Sequence, residues 1–258
     1  MRQERSSEET QALNPQSEIR HPQLARSQSE IRNPQSPVFT RYDQKLEFIL
    51  RTSARIFAEK GYHSTTMRDI SRETQASLAG LYHYCRSKEE LLFLIQDNCF
   101  GRVLERLQQR LGETADPIEK LRLVIENHLS FFAANMAEMK VLSHEAESLA
   151  GEMHEHVSGK KQDYTRLVRE ILSGAKLPRG SGTDEVDLTV ATYALFGMMN
   201  WIYNWYDPAG KLSVNELVDN ITRVFLYGFF AESSSNASAV TSNTEDVGRL
   251  SVWRAPQN

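Results

Sequence analysis

The sequence predicts an all-α protein, with an N-terminal three-helix, helix-turn-helix head followed by a C-terminal helical bundle. Three observations lead there. Capping side chains crowd together between Thr66 and Glu90, apolar residues recur at helical spacing through most of the chain beyond Glu90, and no stretch alternates as a half-buried strand requires. With 258 residues, 40% of them apolar, the chain has the material for a real core.

The first 40 residues are unlike the rest. They are rich in Gln, Ser, Arg and Pro and hold few large apolar side chains, so they cannot offset the entropy of ordering and are expected to be disordered. They also repeat, since Asn14-Pro15-Gln16-Ser17-Glu18-Ile19-Arg20 returns in part as Gln28-Ser29-Glu30-Ile31-Arg32 and Asn33-Pro34-Gln35-Ser36. Between a binding tail and repetitive DNA read from a start assigned too far upstream, the second is the preferred reading.

From Tyr42 to Lys60, the residues Leu46, Ile49, Leu50, Ile56 and Phe57 fall on one helical face, and Gly61 stands at the C-cap. Thr66 with Asp69 is a capping box. The hydroxyl accepts from a first-turn amide and the acid answers the positive end of the helix dipole, so a helix starts near Met67 and runs to about Thr74. Gln75-Ala76-Ser77 interrupts it. Ser77 caps a second short helix, Leu78 to about Cys85, and Ser87 with Glu90 opens a longer one from Lys88 to about Leu111, stopped by Gly112. Two short capped helices this close imply helix-turn-helix. The long helix begins in the head and ends in the body, as a lever would.

In the body, Asp116-Pro117 is an N-cap followed by proline at the first helical position, opening a helix to about Ala134. A shorter helix is expected from about Ala137 to Leu149 and another from Gly151 to Ser173-Gly174, followed by a loop from Lys176 to Thr183. Asp184 to about Tyr206 is apolar on nearly every face. Asp207-Pro208-Ala209-Gly210 breaks it, and Ser213 with Glu216 caps a last helix through Leu217, Ile221, Val224, Phe225 and Phe229. Two neighbouring helices this apolar exceed what one supporting layer covers, which predicts a homodimer through a four-helix seam. The expected domains are therefore a tail over 1–40, a head over 41–90, a ligand-binding and dimerisation body over 91–231, and a disordered tail over 232–258.

The formal charge of −4 hides a split. Arg41 to Lys88 holds nine Lys or Arg against five Asp or Glu, whereas 16 against 24 follow Lys88. A basic head on an acidic body suits a protein that meets phosphates only where a duplex lies. Cys85 and Cys99 lie on predicted helices and read as packed residues rather than redox sensors. No apolar run approaches the length of a membrane span, and the polar start is unlike a secretory signal, so a reducing, cytoplasmic setting without a membrane partner is expected.

The run TTMRDI from Thr65, the serine before the second short helix, LYHY from Leu81 and SKEEL from Ser87 resemble the DNA-binding domain of the TetR (tetracycline-repressor-like) family of bacterial regulators. The resemblance covers Arg41 to about Leu94. It departs at Gln75, where the family usually has glycine in a left-handed turn. Further on, FGMMNWIYNWYDPAG from Phe196 resembles the helix that packs at the dimer seam in TetR-type regulators of lipid and acyl-coenzyme A metabolism.

The second helix of a helix-turn-helix enters the major groove, and here it offers Leu78, Ala79, Gly80, Tyr82, His83 and Tyr84 behind the Ser77 cap. Ala79 and Gly80 permit close approach, Leu78 or Ala79 can meet a thymine methyl, and Tyr82 and Tyr84 can donate to phosphate. His83 reads equally as an exposed polar residue and Tyr84 as a partly structural one. The resemblance implies that Thr66 and Arg68 approach DNA from the preceding helix, that Tyr82 lies near the backbone and that Lys88 anchors a phosphate. Phe131, Phe132, Met136, Met139 and Phe196, with Asn200, are candidates for an apolar ligand pocket, although spacing alone does not separate them from core. Trp201, Trp205, Leu217, Ile221, Val224 and Phe225 are the candidates for the seam. His144, His154 and His156 scatter over more than one helical face, which argues against a metal site. No nucleophile-base-acid constellation or glycine-rich phosphate loop appears, so neither catalysis nor a cofactor is expected.

These readings converge on a homodimeric, ligand-responsive transcription regulator, taken as a repressor. It binds a palindromic operator in double-stranded DNA and is released by a small apolar or amphipathic effector, for which the resemblance suggests an acyl-coenzyme A. The rival is a helical ligand- or partner-binding protein that has lost sequence-specific DNA reading, with Gln75 as its hint.

Overall fold

Side chains that accept from first-turn amides set where most helices begin in the computed structural model, which describes residues 40–175 and 186–227. The expectations for residues 1–39, for 176–185 including Asp184, for Phe229 and for the tail from 232 lie outside the described residues. Helix α1, Arg41–Lys60, opens with a capping box that the sequence reading missed. The Thr40 amide donates to Asp43 Oδ2 at 2.9 Å and the Asp43 amide to Thr40 Oγ1 at 3.2 Å. At its other end Gly61 adopts φ 85°, a left-handed conformation that a Cβ would strain.

Helix α2 is Met67–Thr74, and Thr66 and Asp69 form the expected reciprocal box. The Thr66 hydroxyl and amide, joined by the Arg72 guanidinium, hold the Asp69 carboxyl down at about 2. Gln75 then takes φ 52°, ψ 27°, and its N–H is shared between the carbonyls of Arg72 and Ser71. Ser71 completes the turn, since its hydroxyl donates to the Ala76 carbonyl at 2.6 Å and its own carbonyl accepts from the Ala76 amide. The left-handed turn is thus kept without glycine, and the rival reading loses its hint.

Helix α3, Leu78–Tyr82, is shorter than the predicted run to Cys85. The amides of Tyr84 and Cys85 both converge on the Leu81 carbonyl, and Ser87 must be extended, at φ −151° and ψ 168°, to cap the next helix. Another helical turn has no room between them. Helix α4, Lys88–Leu111, follows, with Ser87 Oγ accepting from the Glu90 amide at 3.0 Å. Gly112 ends it at an ordinary φ of −70°, so the stop does not draw on glycine's freedom.

Asp116 caps α5, Pro117–Ala133. Helix α6, Met136–His144, stops before the predicted Leu149: Glu145 leaves helical geometry at φ −109° and ψ 27°, its carbonyl accepts from Gln96 Nε2 of α4 at 3.0 Å and from the Ser148 amide, and Leu149 turns into the core under the head. Helix α7 spans Gly151–Gly174. The next apolar stretch is also shorter than predicted. Asp187 accepts from the amides of Thr189 and Val190 and starts α8, Leu188–Asn200, after which the chain tightens into a 3-10 turn over Trp201–Asn204. Ser213 and Glu216 box the start of α9, Val214–Tyr227.

Helix α5 is the centre of the body and packs against α4, α7, α8 and α9. Its Leu121, Val124, Ile125 and Leu129 are fully buried with Val103 and Leu107 of α4, Val168 of α7 and Leu195 of α8. A second core lies under the head, from Ile49, Ile56 and Phe57 of α1, Ile70 of α2, Leu81 of α3 and Leu91, Leu92 and Ile95 of α4. Val141, Leu149 and Val157 from the body also enter it. Packing therefore runs straight through the position near residue 90 where the sequence suggested a boundary. Cys85 and Cys99 are free and buried, and burial pushes the Cys85 thiol up to about 11 and the Cys99 thiol higher still. Among the described residues no helix is long and apolar enough to cross a membrane.

Relief of the left-handed strain at Gln75 gives a direct check on the turn. Gln75→Gly is expected to stabilise the fold by about 1 kcal/mol in urea unfolding; no gain would mean that the turn carries no strain.

Candidate nucleic-acid interface and ligand cavity

The head presents α2 and α3 with their caps outward. Thr66, Arg68, Ser77, Ala79, Tyr82 and His83 are exposed, while Leu78, Gly80 and Tyr84 are half-buried. Leu81 is fully buried and fixes α3 to the core, which leaves the opposite side of this short helix for a groove. Gly80 is explained twice over. Besides thinning the helix, it sits where a Cβ would come within 3.1 Å of Ser77 Oγ and crowd the cap that accepts the Gly80 amide at 3.0 Å. Arg68 makes no ion pair with a described residue, whereas Arg72 is held by Asp69 at 2.6 Å and Arg55 by Glu59 and Glu73.

Lys88, the expected phosphate anchor, is held by the protein itself. Its ammonium donates to the carbonyls of Tyr62 at 2.8 Å and Thr65 at 2.9 Å, with His63 at 3.4 Å, and lies 4.4 Å from the centre of the Tyr62 ring. An ammonium has three hydrogens, and all three are engaged. Lys88 thus ties the start of α4 to the loop between α1 and α2 and positions the reading motif. Sequence reasoning missed this because the accepting groups are backbone carbonyls more than 20 residues away.

In the body a cavity of about 560 Å³ opens between α4, α5, α6, α7 and α8. Of the expected pocket residues, Phe132, Met139, Phe196 and Asn200 line it. Phe131 and Met136 do not; Phe131 instead borders a small pocket beside Arg51 and Glu138. The walls include polar residues that the sequence reading passed over. His128 and Tyr164 are buried, with Nδ1 of the imidazole 3.1 Å from the Tyr164 hydroxyl, whereas Lys161 is half-buried and Arg166 and Arg169 are exposed. Lys161 stands over the Phe100 ring at 5.7 Å, and burial lowers its pKa. The available signal was His128 four residues before Phe132, a histidine on the apolar face of a helix.

Residues 49–95 match the family described as bacterial regulatory proteins, tetR family, and residues 114–229 match the tetracyclin repressor-like C-terminal domain. A TetR family transcriptional regulator, PfmR from Thermus thermophilus, is 30% identical with a TM-score of 0.62, over 70% of this chain and 98% of that one. The chain belongs to the TetR family. Its function is DNA-binding, ligand-responsive regulation of transcription, not catalysis. AibR, solved in complex with isovaleryl coenzyme A and operator DNA, is also 30% identical, with a TM-score of 0.63 over 70% of this chain and 98% of that one. The fatty acid metabolism regulator protein of Bacillus subtilis (strain 168) is 25% identical over 60% of this chain and 82% of its own length.

For this TetR-family chain the expected seam residues separate into two groups. Trp201 is 60% exposed and Trp205 52%, and Val224 is exposed beside half-buried Ile221 and Phe225. Leu217 is 1% exposed and belongs to the body core, so it has no surface left for a partner. The three histidines weighed for metal are each engaged separately, His144 with Tyr203, His154 with Ser158 and His156 with Asp97.

Two substitutions separate positioning from phosphate contact. Lys88→Met is expected to lower stability by about 1.5–3 kcal/mol in thermal unfolding, the range for hydrogen bonds to a charged group. Arg68→Ala should leave the melting temperature unchanged but reduce the salt dependence of DNA binding by about one unit. A Lys88→Met protein of unchanged stability with a reduced salt slope would restore the phosphate role.

Proposed function

We propose that the chain is a homodimeric repressor that binds a palindromic operator and is released by an acyl-coenzyme A. One α3 from each subunit enters successive major grooves, about 34–36 Å apart. Thr66 and Arg68 approach from α2, and Ser77, Leu78, Ala79, Gly80, Tyr82, His83 and Tyr84 from α3 and its ends. The second copy covers the exposed side chains of Trp201, Trp205 and Val224 with Ile221 and Phe225, a patch too apolar to leave in water. The protein acts in the cytoplasm, where its operator lies. The head falls within 41–90 and the ligand-binding and dimerisation body within 91–231, joined by the shared helix α4.

The observation that carries the effector class is the make-up of the cavity. Its lining joins apolar Phe132, Met139 and Phe196 to the cations Lys161, Arg166 and Arg169, of which the two arginines are exposed. An acyl chain suits the apolar lining and phosphates suit the cations, and a volume of about 560 Å³ is in the ordinary range of ligand pockets. Isovaleryl coenzyme A in the complex of AibR supports the same class. Fluorescence anisotropy on a palindrome from the gene's upstream region tests the reading. Acyl-coenzyme A compounds should release the DNA, free coenzyme A should not, and Trp201→Glu combined with Trp205→Glu should yield a monomer that binds poorly. Release by neither would remove the effector class, and a stable dimer in the double variant would move the seam elsewhere.

A further inference from the structure

His128 brings an unpartnered polar atom to the apolar part of the cavity. Its side chain is 2% exposed, lines the cavity, and packs its ring against Phe132, with centres 4.7 Å apart, and against Tyr164 at 5.9 Å and Phe196 at 6.2 Å. Nε2 has no hydrogen-bond partner among the described residues. The Asn200 amide lies near enough to favour the protonated ring slightly, without a hydrogen bond of normal geometry. Burial outweighs it and pushes the imidazole down to about 3, so the ring is neutral and carries one N–H.

The buried Tyr164 hydroxyl decides where that hydrogen sits. A phenol is the stronger donor and a neutral imidazole nitrogen the stronger acceptor, so the 3.1 Å contact is assigned as the Tyr164 hydroxyl donating to His128 Nδ1. That assignment puts the imidazole hydrogen on Nε2, the atom with no hydrogen-bond partner among the described residues. The buried His128 wall of the cavity thus offers a donor among the rings of Phe132 and Phe196. A bare hydrocarbon would leave that donor unsatisfied, and a carboxylate would bury its charge against those two apolar rings. A neutral acceptor fits.

We propose that His128 Nε2–H donates to the carbonyl oxygen of a bound acyl thioester, with Tyr164 fixing the tautomer, and so selects an acyl group over an alkyl group of the same length. The proposal rests on the cavity being the effector site. Lys161, Arg166 and Arg169 line the same cavity and suit the phosphates of such a ligand.

The experiment compares two probes by calorimetry on the full chain: an acyl-coenzyme A and its S-alkyl thioether of equal chain length, which lacks only the carbonyl oxygen. The wild-type protein is expected to favour the thioester by about ten-fold or more. In His128→Leu the ratio should fall to near one. Tyr164→Phe keeps the ring and its packing but releases the tautomer, so it should lower the ratio as well while operator binding reports an intact fold. Equal affinities in the wild-type protein, or a ratio kept in both variants, would overturn the inference and leave the cavity an effector site. Failure of both probes to bind a chain that still binds operator would overturn the effector reading, and this inference with it.

Discussion

Helix α4 cannot be assigned to either half of the molecule, because its opening turns are part of one core and its later turns part of another. Leu91, Leu92 and Ile95 are buried under the head, while Cys99, Val103 and Leu107 are buried in the body. A close-packed helix of this kind transmits displacement instead of absorbing it, since interiors at crystal-like density compress little. Polar contacts pin it along its length. Lys88 holds the loop ahead of α2, Gln96 holds the end of α6, and Arg102 reaches back to Glu47 of α1 at 3.2 Å. Where α4 goes, the reading motif goes.

The cavity shares a wall with the same device. Met139, Leu142 and Ser143 of α6 line it, while Val141 of the same helix packs under the head. Immediately beyond, Glu145 gives its carbonyl to Gln96, and the Ala150 amide donates to Glu89 near the start of α4. A ligand that pushes on one face of α6 therefore acts on a helix tied at its end to α4. In the proposed release, a ligand with different affinities for two arrangements of this contact reorients the head.

Local signals made the head legible. The Thr66–Asp69 box, the Ser77 and Ser87 caps and the Gly61 stop act over three or four residues, and they fixed α2 and the starts of α3 and α4. The ends of helices were less legible where the chain turns to meet distant groups, as just past α6, where the Glu145 carbonyl accepts from Gln96 of α4 and Leu149 enters the core under the head. The same distance hid the role of Lys88, whose partners lie across the fold. In the cavity, a stripe of Phe and Met gave Phe132, Met139 and Phe196 but also Phe131 and Met136, because helical spacing places residues on a face without saying what the face meets. His128 and Tyr164 are on different helices, and only the packing of α5 against α7 unites them.

The central claim is that ligand in the body changes the placement of the head through α4. The most direct test is the distance between the two heads of a dimer, measured by pulsed electron resonance with spin labels on Lys60→Cys, an exposed position in a chain whose own cysteines are buried. With operator DNA the distribution should be narrow, and an acyl-coenzyme A should shift it as the DNA is released. Release of the DNA with an unchanged distribution would contradict the account.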